Sequence, residues 1–429
     1  MTTSALPEAP FHAIESLLFA TLVQLMIIIL AARVMGHLAQ RLRHPRAVGE
    51  IVAGLLLGPS GLGLLWPDLF SQLFRSHDAT PLTVMSQIGL ILLMFQVGME
   101  FDFATLKHRQ HRIAAVWITV LGMAVPFALG FGFGQISHAS LAPSVPALAY
   151  SLFIAVAFSI TAVPILGRIL IEFGLTQTPL GVLTISAAAA NDAIGWILLT
   201  VIATIAAGSH DFEMILRHTG WLILYLALAW VLVRPMIARA LDAHALKSGE
   251  LSQQGLAGLF LLVFGSALIT SQLGIFAIFG GFVAGVLLHD RRDVLRAWNA
   301  RTQDLISVFF LPIFFTYTGL RTDIGSLNSE SLWAWCGLLL ILAMGGKFIA
   351  CYWAARWAGL NRFEARCIGI LMNTRALMEL IVINLGRDMG IIPGSLFTML
   401  VIMAILSTLL TAPGLRLWLP YTGIRPSSG

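Results

Sequence analysis

The sequence predicts an all-α polytopic membrane protein of about thirteen transmembrane helices, six on either side of a linking seventh. Three observations carry this. Of 429 residues, 58% are hydrophobic and only 11% charged, whereas a soluble domain carries about 25% charged residues. Apolar runs long enough to cross a bilayer recur along the whole chain between short polar loops. Lys and Arg gather in alternate loops, as orientation in a membrane requires.

The spans are read at 15–37, 47–65, 82–101, 112–136, 147–171, 179–207, 218–240, 254–272, 274–289, 304–321, 332–357, 364–386 and 393–417. With the N-terminus outside, 19 of the 26 Lys and Arg residues fall in inside loops and the tail, and 4 in outside loops. Arg33, Lys347 and Arg375 lie within spans. Residues 1–14 are read as a short external tail, 15–417 as the membrane domain and 418–429 as a short cytoplasmic tail. Met1 to Glu15 hold two acids and no Lys or Arg, so no signal-peptide n-region is expected. No attached soluble regulatory domain is expected either. The net charge of +5 and pI near 9.4 do not point to nucleic acid, because the bases are dispersed over loops. Cys336, Cys351 and Cys367 have neither metal nor redox spacing and read as packing residues.

Span six carries Ala187-Ala188-Ala189-Ala190-Asn191-Asp192. Asp192 is 13 residues in from Pro179, about 20 Å at ~1.5 Å per residue and so near mid-membrane. An ionisable group there costs at least ~2.5–3.5 kcal/mol, which points to a proton or ion site. The alternative is a structural Asp paired to a neighbouring helix. Asn191 is polar but cannot titrate, so the pair offers one carboxylate and one amide. Burial disfavours a charged carboxyl and a bound cation favours it, so proton and cation compete for one group. One group per cycle predicts one-for-one, electroneutral exchange.

Two spans are interrupted. Span five carries Ser159-Ile160-Thr161-Ala162-Val163-Pro164, where Pro164 removes a backbone donor and deprives the Ile160 carbonyl of its helical partner. Span twelve carries Asn373-Thr374-Arg375-Ala376-Leu377-Met378-Glu379, and its break rests on polarity alone. Seven apart in order, the two spans run in opposite directions, which gives inverted 6+1+6 repeats. Interrupted helices in matching positions of two halves mark a transporter's binding site.

Around them sit further candidates. Ser159, Thr161, Asn373 and Thr374 are candidate oxygen ligands for a dehydrated alkali cation. Arg375 and Glu379, four apart, can pair across one turn; a structural ion pair fixing the break is favoured over substrate contact. Lys347, also mid-span, either completes the proton site or neutralises the negative ends of broken helices, and the second reading is favoured. Gly280, Gly281 and Gly285 read as helix packing. His108 and His111 read as part of a solvated basic loop. No cofactor is expected, and no metal beyond the transported cation. Intramembrane aspartyl proteolysis needs two membrane aspartates, and Asp192 alone lies well inside a span, so no enzyme is expected. A passive, channel-like potassium pathway is the competing class.

Several segments resemble one family. Arg46-Ala47-Val48-Gly49-Glu50-Ile51-Val52-Ala53-Gly54-Leu55-Leu56-Leu57-Gly58-Pro59 is similar to the second helix of the cation:proton antiporter superfamily. The branch holds the Kef potassium-efflux systems, NapA-type sodium/proton antiporters, plant CHX exchangers and related sodium/hydrogen exchanger-like membrane domains. Span five, Asn191-Asp192, Leu311 to Phe315 with Thr318 to Asp323, and Leu371 to Leu385 resemble it too, so the likeness runs from Arg46 to Pro413. It implies that the interrupted helices, 147–171 and 364–386, cross in a core built from 112–207 and 332–417. The other spans would form a dimer and scaffold region, with the core moving like an elevator. It further implies Asp192 as the ion-binding carboxylate, Lys347 as the embedded base, K+ or Na+ exchanged for H+, a homodimer, and a bacterial inner-membrane location. Electrogenic members carry two adjacent aspartates; Asn191 replaces the first. Ala376 stands where a glycine is common, which implies a stiffer local backbone. The nucleotide-binding domain of Kef-type proteins is not seen in this sequence.

Overall fold

The computed structural model describes residues 10–42, 44–75, 79–100, 109–175, 178–206, 212–241, 246–247, 250–273 and 276–424. Lys107 and His108 of the basic loop lie outside the described residues, as do the ends of both expected tails. In the first half run α1 (Pro10–Arg41), α2 (Arg46–Leu57), α3 (Thr80–Glu100), α4 (Arg109–Leu141), α5 (Ala147–Ser159), α6 (Val163–Glu172) and α7 (Pro179–Ala206). A linking segment follows as α8 (Phe212–Leu228) and α9 (Arg234–Ala240), joined by a π-helical turn. In the second half run α10 (Gln253–Gln272), α11 (Ala277–Val286), α12 (Arg292–Leu305), α13 (Leu311–Leu320), α14 (Glu330–Leu340), α15 (Gly346–Trp357), α16 (Arg362–Met372), α17 (Ala376–Asp388) and α18 (Gly394–Trp418). Two strands of two residues each, β1 (Leu246–Lys247) and β2 (Glu250–Leu251), pair antiparallel after the linker.

Ten helices among the described residues are long and apolar enough to cross a membrane. The other expected spans are the short apolar α11 and the two broken pairs, α5 with α6 and α16 with α17. Polar caps and prolines set helix starts. Asn361 Oδ1 accepts from the backbone of Phe363 and Glu364 at 2.9 Å, while Glu364 Oε2 accepts from the Asn361 N–H at 2.8 Å. Pro45, Pro146 and Pro393 stand immediately before α2, α5 and α18. One element was not foreseen. Span ten begins a dozen residues early as the amphipathic α12, which buries Trp298 against Phe95 with ring centroids 4.8 Å apart.

Packing repeats with an inverted symmetry. α1 packs on α2 as α10 packs on α11; α2 crosses α13 as α11 crosses α3; α4 packs on α5 as α15 packs on α16. Shifting each span by seven carries the first member of every pair into the second. The α2–α13 and α3–α11 crossings are both glycine on glycine. A methyl group on Gly54 would meet the Thr316 carbonyl and one on Gly319 the Ile51 carbonyl. One on Gly98 would meet Phe282, and one on Gly285 the Phe95 carbonyl. Backbones can touch there only because the side chains are absent. The sequence repeats with the geometry: Val52-Ala53-Gly54 returns as Val283-Ala284-Gly285.

Candidate functional site

The two broken helices meet at their breaks. α5 ends at Ser159 and α6 starts at Val163; α16 ends at Met372 and α17 starts at Ala376. Each break is thus three residues long. Pro164 falls in the first turn of α6, where its missing N–H costs nothing. The chain therefore unwinds one turn before the proline rather than kinking at it. The breaks are stitched by the Ala162 N–H donating to the Thr374 carbonyl at 2.8 Å and Thr161 Oγ1 donating to the Met372 carbonyl at 3.0 Å. These two bonds satisfy one backbone N–H and two backbone carbonyls that lipid could not.

Every break leaves a helix C-terminus with free carbonyls, a partial negative charge. The bases of the second half are aimed at one such end. Arg375 Nη1 donates to the Ala157 carbonyl at 2.9 Å, and Nη2 to the Phe158 carbonyl at 2.7 Å and the Ala343 carbonyl at 2.9 Å. Lys347 Nζ donates to the Ser159 carbonyl. Both side chains are fully buried. Glu379 Oε2 lies 3.6 Å from Arg375 Nη1, an ion pair longer than a hydrogen bond. The expected Arg375–Glu379 pair is present, but the guanidinium's hydrogen bonds go elsewhere, to the Ala157 and Phe158 carbonyls of the opposite half and to the Ala343 carbonyl of its own.

A π-helical turn, Ile341–Gly345, between α14 and α15 supplies the remaining acceptors. Such a turn displaces carbonyls from their helical partners. Besides the Ala343 carbonyl, that of Met344 accepts from Asn373 Nδ2 at 3.2 Å. Asn373 Oδ1 accepts from Arg375 Nε at 3.3 Å, so this amide is engaged at both ends. Thr374 Oγ1 and Thr411 Oγ1 of α18 share a hydrogen bond of 3.2 Å. Ser159 Oγ turns back to its own helix, donating to the Val156 carbonyl at 2.9 Å. The four candidate oxygen ligands are therefore all held in protein hydrogen bonds.

Asp192 is different. It lies on α7 with 2% of its surface exposed, beside the Val163 backbone N–H at the start of α6 and within electrostatic reach of Lys347. Among the described residues, neither carboxylate oxygen closes a hydrogen bond, and neither polar atom of the buried Asn191 side chain does. A methyl group on Gly122 of α4 would stand 2.7 Å from Cys351 Sγ and 4.0 Å from Asn191 Nδ2, so the Asn191 amide faces α4 and α15. The site thus joins a free carboxylate at a helix N-terminus, where the dipole favours negative charge, to two bases occupied at a helix C-terminus. Sequence reading missed the π-helical turn and Thr411; Gly345-Gly346 is the only local signal for the turn.

The family model described as "Sodium/hydrogen exchanger, transmembrane" matches residues 25–419. The chain is 37% identical over 402 residues to the Na(+)/H(+) antiporter NhaS4 of Synechocystis, covering 92% of this chain and 96% of that one. It is 33% identical to Cation/H(+) antiporter 17 of Arabidopsis thaliana, covering 94% of this chain and 48% of the relative. It is 30% identical to K(+)/H(+) antiporter 1 of Saccharomyces cerevisiae, covering 97% of this chain and 49% of the relative. The chain thus spans about half the length of its plant and yeast relatives. The solved structure of the sodium proton antiporter MjNhaP1 from Methanocaldococcus jannaschii superposes with a TM-score of 0.67 at 15% identity, over 95% of this chain and all of that one. That likeness shows the fold.

Proposed function

The chain belongs to the sodium/hydrogen exchanger family, and we propose that it is a secondary active antiporter exchanging a monovalent alkali cation, Na+ or K+, for H+ at Asp192. The observation that carries this reading is that, among the described residues, the buried Asp192 carboxylate has neither a hydrogen-bond nor an ion-pair partner, whereas the equally buried Glu379 has Arg375 beside it. A carboxyl group in a low-dielectric interior is costly when charged and alone, so it takes a proton or a cation, and it cannot take both. Replacing one by the other leaves the net charge of the site unchanged, which makes exchange one-for-one and electroneutral. Lys347 and Arg375 hold the end of α5 in place and leave Asp192 to the transported ion. The names of the relatives support exchange over passive conduction, and they include both Na+ and K+.

In this reading the broken helices, with α4, α7, α15 and α18, carry the ion against a scaffold of α1, α2, α3, α10, α11 and α13. The working unit is a homodimer in a bacterial inner membrane, with the N-terminus outside and the C-terminus in the cytoplasm.

The deciding experiment is proton flux in proteoliposomes with an imposed pH gradient, with Na+ or K+ added at clamped voltage. Wild type collapses the gradient and Asp192→Asn does not. A cation leak that moves protons only through voltage would overturn the proposal. Competition for one carboxylate also sets a pH dependence. Where the proton dominates, the half-saturating cation concentration rises about tenfold for each unit the pH falls. A flat profile would exclude a shared site.

A further inference from the structure

A second polar seam joins the two sets of helices away from the crossing. α13, packed on α2 and α3, leads into Arg321; α17, packed on α18 and α5, ends at Asp388. Arg321 bridges them. Its Nη2 donates to Asp388 Oδ1 at 2.6 Å and its Nη1 to Asn384 Oδ1 at 3.2 Å. Asn384 and Asp388 stand one turn apart on one face of α17, and Asn384 Nδ2 donates to Thr318 Oγ1 at 2.9 Å. These groups share with Ser86 a recess of about 40 Å³, room for about three waters at ~10–15 Å³ each. Arg387 and Asp323 complete the charged surroundings, with the Arg387 guanidinium 4.8 Å from the Phe397 ring.

We propose that this recess is a second alkali-cation site, which Arg321 fills as a tethered cation and vacates when an ion enters. The proposal deepens the antiporter reading and rests on it. A hard monovalent cation takes oxygen ligands, and the recess offers the amide and carboxylate oxygens of Asn384 and Asp388, one turn apart on α17, with the hydroxyls of Thr318 on α13 and Ser86 on α3. The guanidinium already sits on two of them. Its hold is weak: the Arg321 and Asp388 side chains are 22% and 41% exposed, and ion pairs open to solvent contribute little. An arriving ion can therefore displace it. Coupled exchange also needs the path from one face closed while the other is open. A seam that ties α13 to α17 closes the face bearing the α13–α14 loop.

One-sided transport tests this. With cation supplied at the face of the α13–α14 loop, Arg321→Ala lowers the half-saturating concentration about tenfold and leaves the value at the opposite face unchanged. Asp388→Asn raises it. Equal changes at both faces, or a change in maximal rate alone, would mean that Arg321 is only a strut. Should Arg321→Ala fail to fold, Arg321→Gln replaces it, keeping donors without the charge. A second readout is independent of transport. Cys336, Cys351 and Cys367 are buried, so a Gln87→Cys variant, at an exposed position that lines the same recess, can be modified by a cationic thiol reagent over a low background. Adding Arg321→Ala speeds that modification about tenfold, and Na+ or K+ slows it again. A rate indifferent to Arg321 and to cations overturns the proposal. Cation-protected modification in a protein that exchanges nothing would leave this site standing while the antiporter reading falls.

Discussion

Two kinds of crossing hold this molecule together, and they obey the same inverted symmetry by opposite means. Where α2 meets α13 and α3 meets α11, glycines let backbones touch and both halves contribute alike. Where the broken helices meet, backbone pairs with backbone, but the charges are unevenly shared. The first half brings Asp192; the second brings Lys347, Arg375 and Glu379. Arg375 occupies the third position of its break, and the third position of the other break is Ala162. Symmetric packing makes a frame. A symmetric set of charges would place like groups together, whereas the uneven one lets bases neutralise one helix end and leaves an acid free at another.

Substitutions can break or sharpen this contrast. The largest effect is expected at Arg375→Met, which strands three carbonyls and the Glu379 carboxylate: about 3–5 kcal/mol, the usual cost of removing one partner of a buried charge pair. Thermal unfolding in detergent would show it, and a loss below 1 kcal/mol would mean that the stitched crossing holds without its guanidinium. Next come Gly54→Ala and Gly285→Ala. Each forces a methyl group into a facing carbonyl and is expected to cost about 1–3 kcal/mol. Because they occupy equivalent positions, the two losses should be similar; a large difference would show that the frame is less symmetric than its contacts. Smallest is Lys347→Met, expected to cost about 1–2 kcal/mol for the unpaired Ser159 carbonyl while exchange persists. Loss of exchange at unchanged stability would move Lys347 from the support of α5 into the ion cycle.

Much of this was legible in the chain. The spans follow from hydropathy because every backbone polar group in lipid must be paired within a helix. Asp192 stood out because nothing else repays a mid-membrane carboxylate. The break in span five was marked by Pro164; the break in span twelve, lacking a proline, was marked only by its polar cluster. Gly285 was readable as a packing residue, yet its partner Gly98 was not. Residue type states what an atom would cost if left alone, and so it selects Asp192, Lys347 and Arg375 from the sequence. It does not state which atom answers it. That Arg375 meets the Ala157 carbonyl, 218 positions away, rather than closing tightly on Glu379 four positions on, was decided by the tertiary structure. Hydrogen bonds form or fail within a few tenths of an ångström, and only the packed bundle sets separations to that tolerance.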